Sequence, residues 1–167
     1  PKYEIASNRL VIVTQSHNDL LISLDGLQNM RRIAIADPDL APAGSYARES
    51  LQNVGLWESL STNIVLAPDV RATLNYVKTG NVDAGIVYYT DALSVPELKK
   101  IELIPTDSYR IISYPVVIPV KGVNAARATH LAEFLRGKFS RMTLEKYGFV
   151  VPKVQPNSTF EVDKKID

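Results

Sequence analysis

The sequence predicts an α/β fold, with a mainly parallel sheet flanked by helices. Three observations carry that expectation. Between residues 33 and 90, short apolar runs alternate with amphipathic stretches in the order strand, helix, strand, helix, strand. The amphipathic stretches stop at Gly55 and at Thr79-Gly80. The strand-to-helix junctions carry Asp37-Pro38 with Pro42, and Pro68-Asp69, residues that end a strand or start a helix.

The elements follow in order. Leu10 to Thr14 (L-V-I-V-T) is a strand, and Gln15 to Asp19, containing His17, is a turn. Leu24 to Asn29 reads as a short helix or turn ahead of Arg31-Arg32. Ile33 to Ala36 is a buried strand. From Ala43, the residues Tyr46, Ala47, Ser50, Leu51 and Val54 share a helical face. Ala43 and Gly44 then lie in the first turn, whose N–H groups have no intrahelical partner. Their small side chains let a ligand approach, and the partial positive charge of the helix start favours an anion. Trp57 to Leu60 is a helical turn, and Asn63 to Leu66 a strand. Asp69 is an N-cap for a helix beginning at Val70, with Leu74 and Val77 on its buried face. Ala84 to Tyr89 is a buried strand ending in Thr90-Asp91. Strand alternation sends Tyr88 and Tyr89 to opposite faces, so one packs while the other presents its hydroxyl. Taken singly, each segment also reads as an ordinary connection, a capped helix, or a core or surface tyrosine.

Further along, Ile101 to Ile104 is a short strand, and Ile111 to Val120 an extended run with Pro115 and Pro119. Ala125 to Arg136 is an amphipathic helix with Ala128, Leu131, Ala132 and Leu135 on one face. Phe139 to Tyr147 is the last helix, ended by Gly148. From residue 151 on, Pro152, Pro156 and scattered charge leave little to bury, as in a flexible tail.

Composition excludes several functions. A net charge of +1 with scattered basic residues gives no footprint for nucleic acid or an anionic membrane. With no cysteine, there is no disulfide, zinc-thiolate site or cysteine nucleophile. His17 and His130 stand far apart, so a metal site is not expected. Asp37, Asp39, Asp69 and Asp91 gather around the junction loops, where capping and turn roles compete with acid-base chemistry. Asn157-Ser158-Thr159 fits a glycosylation acceptor formally, a pattern common by chance.

Three segments carry a resemblance. They are Asp37-Pro38 with Pro42-Ala43-Gly44-Ser45-Tyr46-Ala47; Asp69-Val70-Arg71-Ala72-Thr73-Leu74; and Gly85-Ile86-Val87-Tyr88-Tyr89-Thr90-Asp91-Ala92. In this order they resemble the periplasmic molybdate-binding proteins of ABC importers, with Ala72-Thr73 departing slightly from that family's second motif. Asn8 to Val13, Tyr114 to Val117 and Lys146 to Phe149 resemble its entry strand, return strand and C-terminal Y-G-F, so the likeness covers about residues 7 to 150. The resemblance implies a periplasmic-binding-protein-like lobe and a non-enzymatic role. It implies a tetrahedral oxyanion, molybdate or tungstate, held by the Ala43 and Val70 N–H groups and the Tyr88 hydroxyl. Neither a metal ligand set nor a cationic side chain is required. Neutral fixed donors select by size and by the absence of protons on the ligand.

The resemblance also implies two serine ligands on an N-terminal lobe, whose opening motif this sequence does not contain, so the chain reads as a fragment. On that reading, residues 1–9 are a linker or hinge remnant and 10–115 the second lobe. Residues 116–150 are a return strand and C-terminal helices of the other lobe, and 151–167 a flexible tail. Implied partners are the oxyanion and the membrane subunits of an ABC permease, in a periplasmic or extracytoplasmic setting. Rival readings are the effector domain of a transcription regulator, a binding protein for sulfate or another oxyanion, and an enzyme using the aspartates.

Overall fold

Residues 2–16, 23–118 and 124–152 are described by the structure, a computed structural model. His17, the end of the extended run at Pro119 and Val120, the tail from residue 153 and the Asn157 motif lie outside these residues. The described residues divide into two compact units, one within Asn8–Ile112, the other combining those of residues 2–7 with those of 113–152.

In the first unit, five strands form one sheet in the order β4-β3-β5-β2-β6. They are β2 (Leu10–Gln15), β3 (Ile33–Ala36), β4 (Ile64–Ala67), β5 (Ala84–Tyr88) and β6 (Leu98–Leu103). β3 runs parallel to both β4 and β5, while β2 is antiparallel to β5 and β6. The parallel half is the part joined by helical crossovers, as parallel pairing requires. These are α1 (Pro42–Asn53) with the short α2 (Trp57–Leu60), then α3 (Val70–Lys78). The fold is α/β, with antiparallel strands added beside the expected parallel core.

Side-chain alternation splits the core in two. Leu10, Ile12, Ile33, Ile35 and Ile86 pack with Ala47, Leu51 and Leu60 on one face. Val11, Val13, Ala34 and Val87 pack with Leu74 and Val77 on the other. Tyr88 joins the first cluster and Tyr89 the second, as the alternation predicts. At the strand entrances, the Arg31 and Arg32 N–H groups both donate to the Asp83 carboxylate (2.8 and 3.0 Å), holding the starts of β3 and β5 together.

Some boundaries differ from expectation. β5 stops at Tyr88, and Tyr89–Leu93 forms a helical turn, α4. The Tyr89 N–H makes the last sheet-like bond, to the Arg9 carbonyl (2.8 Å), before the chain turns. β6 begins at Leu98, three residues early, because pairing with Gln15 and Thr14 of β2 extends it.

In the second unit, β1 (Lys2–Asn8, its last residue belonging to the first unit) pairs with β7 (Ile112–Val117). Residues 2–8, expected as linker, are therefore a strand. Helices α5 (Ala125–Arg136) and α6 (Lys138–Lys146) follow, and Gly148 takes a positive φ of 88° beyond α6. The expected apolar face of α5 is only partly covered. Ala132 is buried, but Leu131 is 58% exposed, as is Phe134. A two-stranded sheet offers too little apolar area to cover two helices.

Candidate functional site

Parallel strands end at the same edge of a sheet, and ligands of open α/β sheets bind just beyond that edge. β3, β4 and β5 deliver three chain turns there: the loop into α1, the loop into α3, and Tyr88 with α4. The structure brings Ala43, Val70 and Tyr88 together as walls of one cavity of about 360 Å³. Ala41 and Pro42 complete its α1 side, and Asp69, Arg71 and Asp91 the rest.

The α1 side is built by a turn. The Leu40 and Ala41 N–H groups donate to the Asp37 carbonyl (3.1 and 2.8 Å), and the Asp39 N–H to the Asp37 carboxylate (2.9 Å). Ala41 caps the helix and Pro42 is its first residue. Proline brings no N–H, and the Gly44 N–H donates to the Ala41 carbonyl (3.0 Å). Helix geometry thus leaves the Ala43 N–H without an intrahelical acceptor, while its methyl group is buried. Gly44 serves a different purpose from the one expected. A Cβ there would lie 1.9 Å from the Ala36 carbonyl oxygen and 2.7 Å from the Pro38 nitrogen. Its missing side chain admits the end of β3, not a ligand.

At α3, the Asp69 carboxylate accepts from the Ala72 N–H (2.8 Å), and the Asp69 carbonyl from the Thr73 N–H (3.0 Å). The Val70 and Arg71 N–H groups have no acceptor within the helix. α3 sits tightly on β5 at Gly85, where a Cβ would meet Val77 Cγ2 at 2.8 Å. That close approach fixes the start of α3 beside Tyr88.

Tyr88 is half-buried, and a tyrosine cluster steadies its ring. Tyr46 lies 6.5 Å from Tyr88 and 6.4 Å from Tyr109, centroid to centroid. Arg110 stacks over Tyr46 at 4.7 Å and pairs with Glu49 at 2.9 Å. The Tyr109 hydroxyl accepts from the buried Leu10 N–H (3.1 Å), and burial raises its pKa. Tyr46, expected only as a helix-face residue, is therefore a support for Tyr88.

Of the two charged wall residues, sequence reasoning sets Asp91 among the aspartates around the junction loops but misses Arg71 as a ligand neighbour. Arg71 is exposed and Asp91 half-buried, and both also line a second cavity of about 480 Å³. Burial pushes the Asp91 carboxyl above its ordinary pKa, and the Arg71 charge pulls it back. A helical signal existed: Asp91 lies three residues after Tyr88, the N-cap of α4, and so returns to its side. Asp37 and Asp39 do not line the cavity, and Asp69 is committed to its cap. Among the described residues, no group of histidine, aspartate and glutamate could hold a metal ion.

Comparison with known proteins places the chain. A family profile for bacterial extracellular solute-binding proteins matches residues 2–150. The Bacillus subtilis protein YvgL, provisionally assigned as an ABC transporter substrate-binding lipoprotein, is 36% identical over 147 residues, covering 87% of this chain and 56% of YvgL. The Escherichia coli molybdate-binding protein ModA is 37% identical over 125 residues, covering 75% of this chain and 48% of ModA. Among solved structures, the substrate-binding domain of a provisionally assigned molybdenum ABC transporter from Clostridium difficile superposes with a TM-score of 0.84 at 27% identity. That match covers 91% of this chain and 67% of the other. The chain spans about half the length of these curated relatives. With the profile running through nearly every described residue, the chain belongs to the bacterial extracellular solute-binding protein family.

Proposed function

We propose that this chain supplies one wall of the anion site of a molybdate- or tungstate-binding protein, the substrate-binding component of an ABC importer. The observation that carries the reading is the meeting of Ala43, Val70 and Tyr88 in one cavity, two of them at helix starts. Similarity to molybdate-binding proteins supports the choice of ligand. The Ala43 and Val70 N–H groups and the Tyr88 hydroxyl donate to oxygens of the tetrahedral dianion. The oxyanion is cargo, and no bond is made or broken. Residues 10–115 act as the second lobe, and a serine-bearing lobe supplies the remaining donors. Closure of the two lobes on the anion then presents it to the permease outside the cytoplasm.

Calorimetric titration tests this. Molybdate, tungstate, sulfate and phosphate are titrated into this chain and into a longer protein that includes the serine-bearing lobe. Tight binding of molybdate and tungstate by the longer protein, with sulfate and phosphate weak, is the expected result. Preferred sulfate binding would reassign the cargo, and no binding of any of the four would end the oxyanion reading. Tyr88→Phe in the longer protein removes one donor. The expected loss is roughly 0.5–1.5 kcal/mol of binding energy, or up to about 3 if the bond is charge-assisted.

A further inference from the structure

We propose that Arg71 and Asp91 form a charge-compensated pair that sets the anion affinity of this site, Arg71 offsetting a carboxylate that would otherwise repel a dianion. The proposal rests on the oxyanion reading above and extends it to two residues outside the donor set.

The geometry is specific. Asp91 shares the cavity wall with Ala43, Val70 and Tyr88, so its carboxylate borders the space the anion would fill. A carboxylate there is unfavourable for a doubly charged guest, and two helix starts set only partial charges against it. Arg71 borders the same space from the α3 side. Both residues also border the second cavity, so the pair forms part of the partition between the two. The Arg71 charge is felt at Asp91 through space, lowering its pKa against the rise caused by burial.

Other groups around Asp91 do not substitute for Arg71. Asp69 carries the same sign as Asp91 and caps α3. Lys78, lining the second cavity only, is engaged with Glu97 at 2.9 Å. Arg9 lies over the Tyr89 ring at 4.6 Å, and Lys100 of β6 is opposite Val13 in the sheet; neither lines the anion cavity. Within that cavity wall, Arg71 is the cation facing Asp91.

The test uses sodium molybdate and calorimetry on the longer protein at about pH 8 and about pH 5, the lower value lying toward the side where a carboxyl takes up its proton. Arg71→Gln is expected to weaken binding at least about tenfold at the higher pH, as an uncompensated charge at close range would. At the lower pH, proton uptake by Asp91 is expected to reduce the loss, because burial raises its pKa. Asp91→Asn is expected to tighten binding at the higher pH, and Arg71→Gln with Asp91→Asn to return toward the parent affinity. An Arg71→Gln loss that neither acid nor Asp91→Asn repairs would mean Arg71 acts sterically and overturns the pair. Equal affinity of parent and Arg71→Gln at both pH values would overturn it as well. Failure of the unsubstituted protein to bind molybdate would instead remove the oxyanion reading beneath it.

Discussion

Gly44 is the residue with the least freedom around the site. A methyl group there would overlap the Ala36 carbonyl, and backbone cannot step aside as a side chain can. Gly44→Ala is therefore expected to cost at least the upper end of the roughly 1–3 kcal/mol seen for overpacking, read as a lower urea midpoint at unchanged slope. Tyr109 tests a different limit. Tyr109→Phe keeps the ring that supports Tyr46 but strands the buried Leu10 N–H. The expected loss is about 1–3 kcal/mol in chemical denaturation, the cost of an unsatisfied buried donor. A loss well below that range would show that water reaches the Leu10 amide.

At the scale of elements, the start of α3 matters most, because its cap and its proposed ligand are neighbours. Asp69→Ala removes the bond to the Ala72 N–H and should destabilise the protein by about 0.5–2 kcal/mol, measured as a lower melting temperature. The same feature explains why so much was legible in the sequence. Pro42, Asp69, Gly55 and Gly80 act through local backbone chemistry, so they mark helix ends without any knowledge of the fold. The apolar runs of β2, β3 and β5 were equally plain, since strands buried on both faces leave no polar positions. What stayed hidden depends on distant partners. Lys99 and Lys100 disguise the start of β6, which β2 dictates through pairing. Periodicity assigned α5 an apolar face but could not say that Leu131 would lie open. Arg71 was visible as a motif letter, yet only the meeting of α3 with α4 makes it a wall beside Asp91.

At the scale of the whole molecule, the two units differ in how the chain enters them. The five-stranded unit is one uninterrupted segment, Asn8–Ile112, with a core on both faces of its sheet. Expressed alone, that segment is expected to keep its far-UV circular dichroism and unfold cooperatively in urea; a broad, non-cooperative transition would contradict its independence. The other unit is assembled from two ends of the chain. Its Ser7 and Val150, bridged as strand partners, are 143 positions apart. Closing so long a loop from an open coil costs roughly 4 kcal/mol beyond the constant term. Once Asn8–Ile112 has folded, that closure is largely made, and β1 and β7 leave a preformed body instead of a random chain. Assembly therefore has a built-in order, in which the sheet beneath the proposed anion site templates the remainder. A lesion in that segment, at Gly44 of α1 or Gly85 of β5, would then surface first as a failure of β1 and β7 to pair.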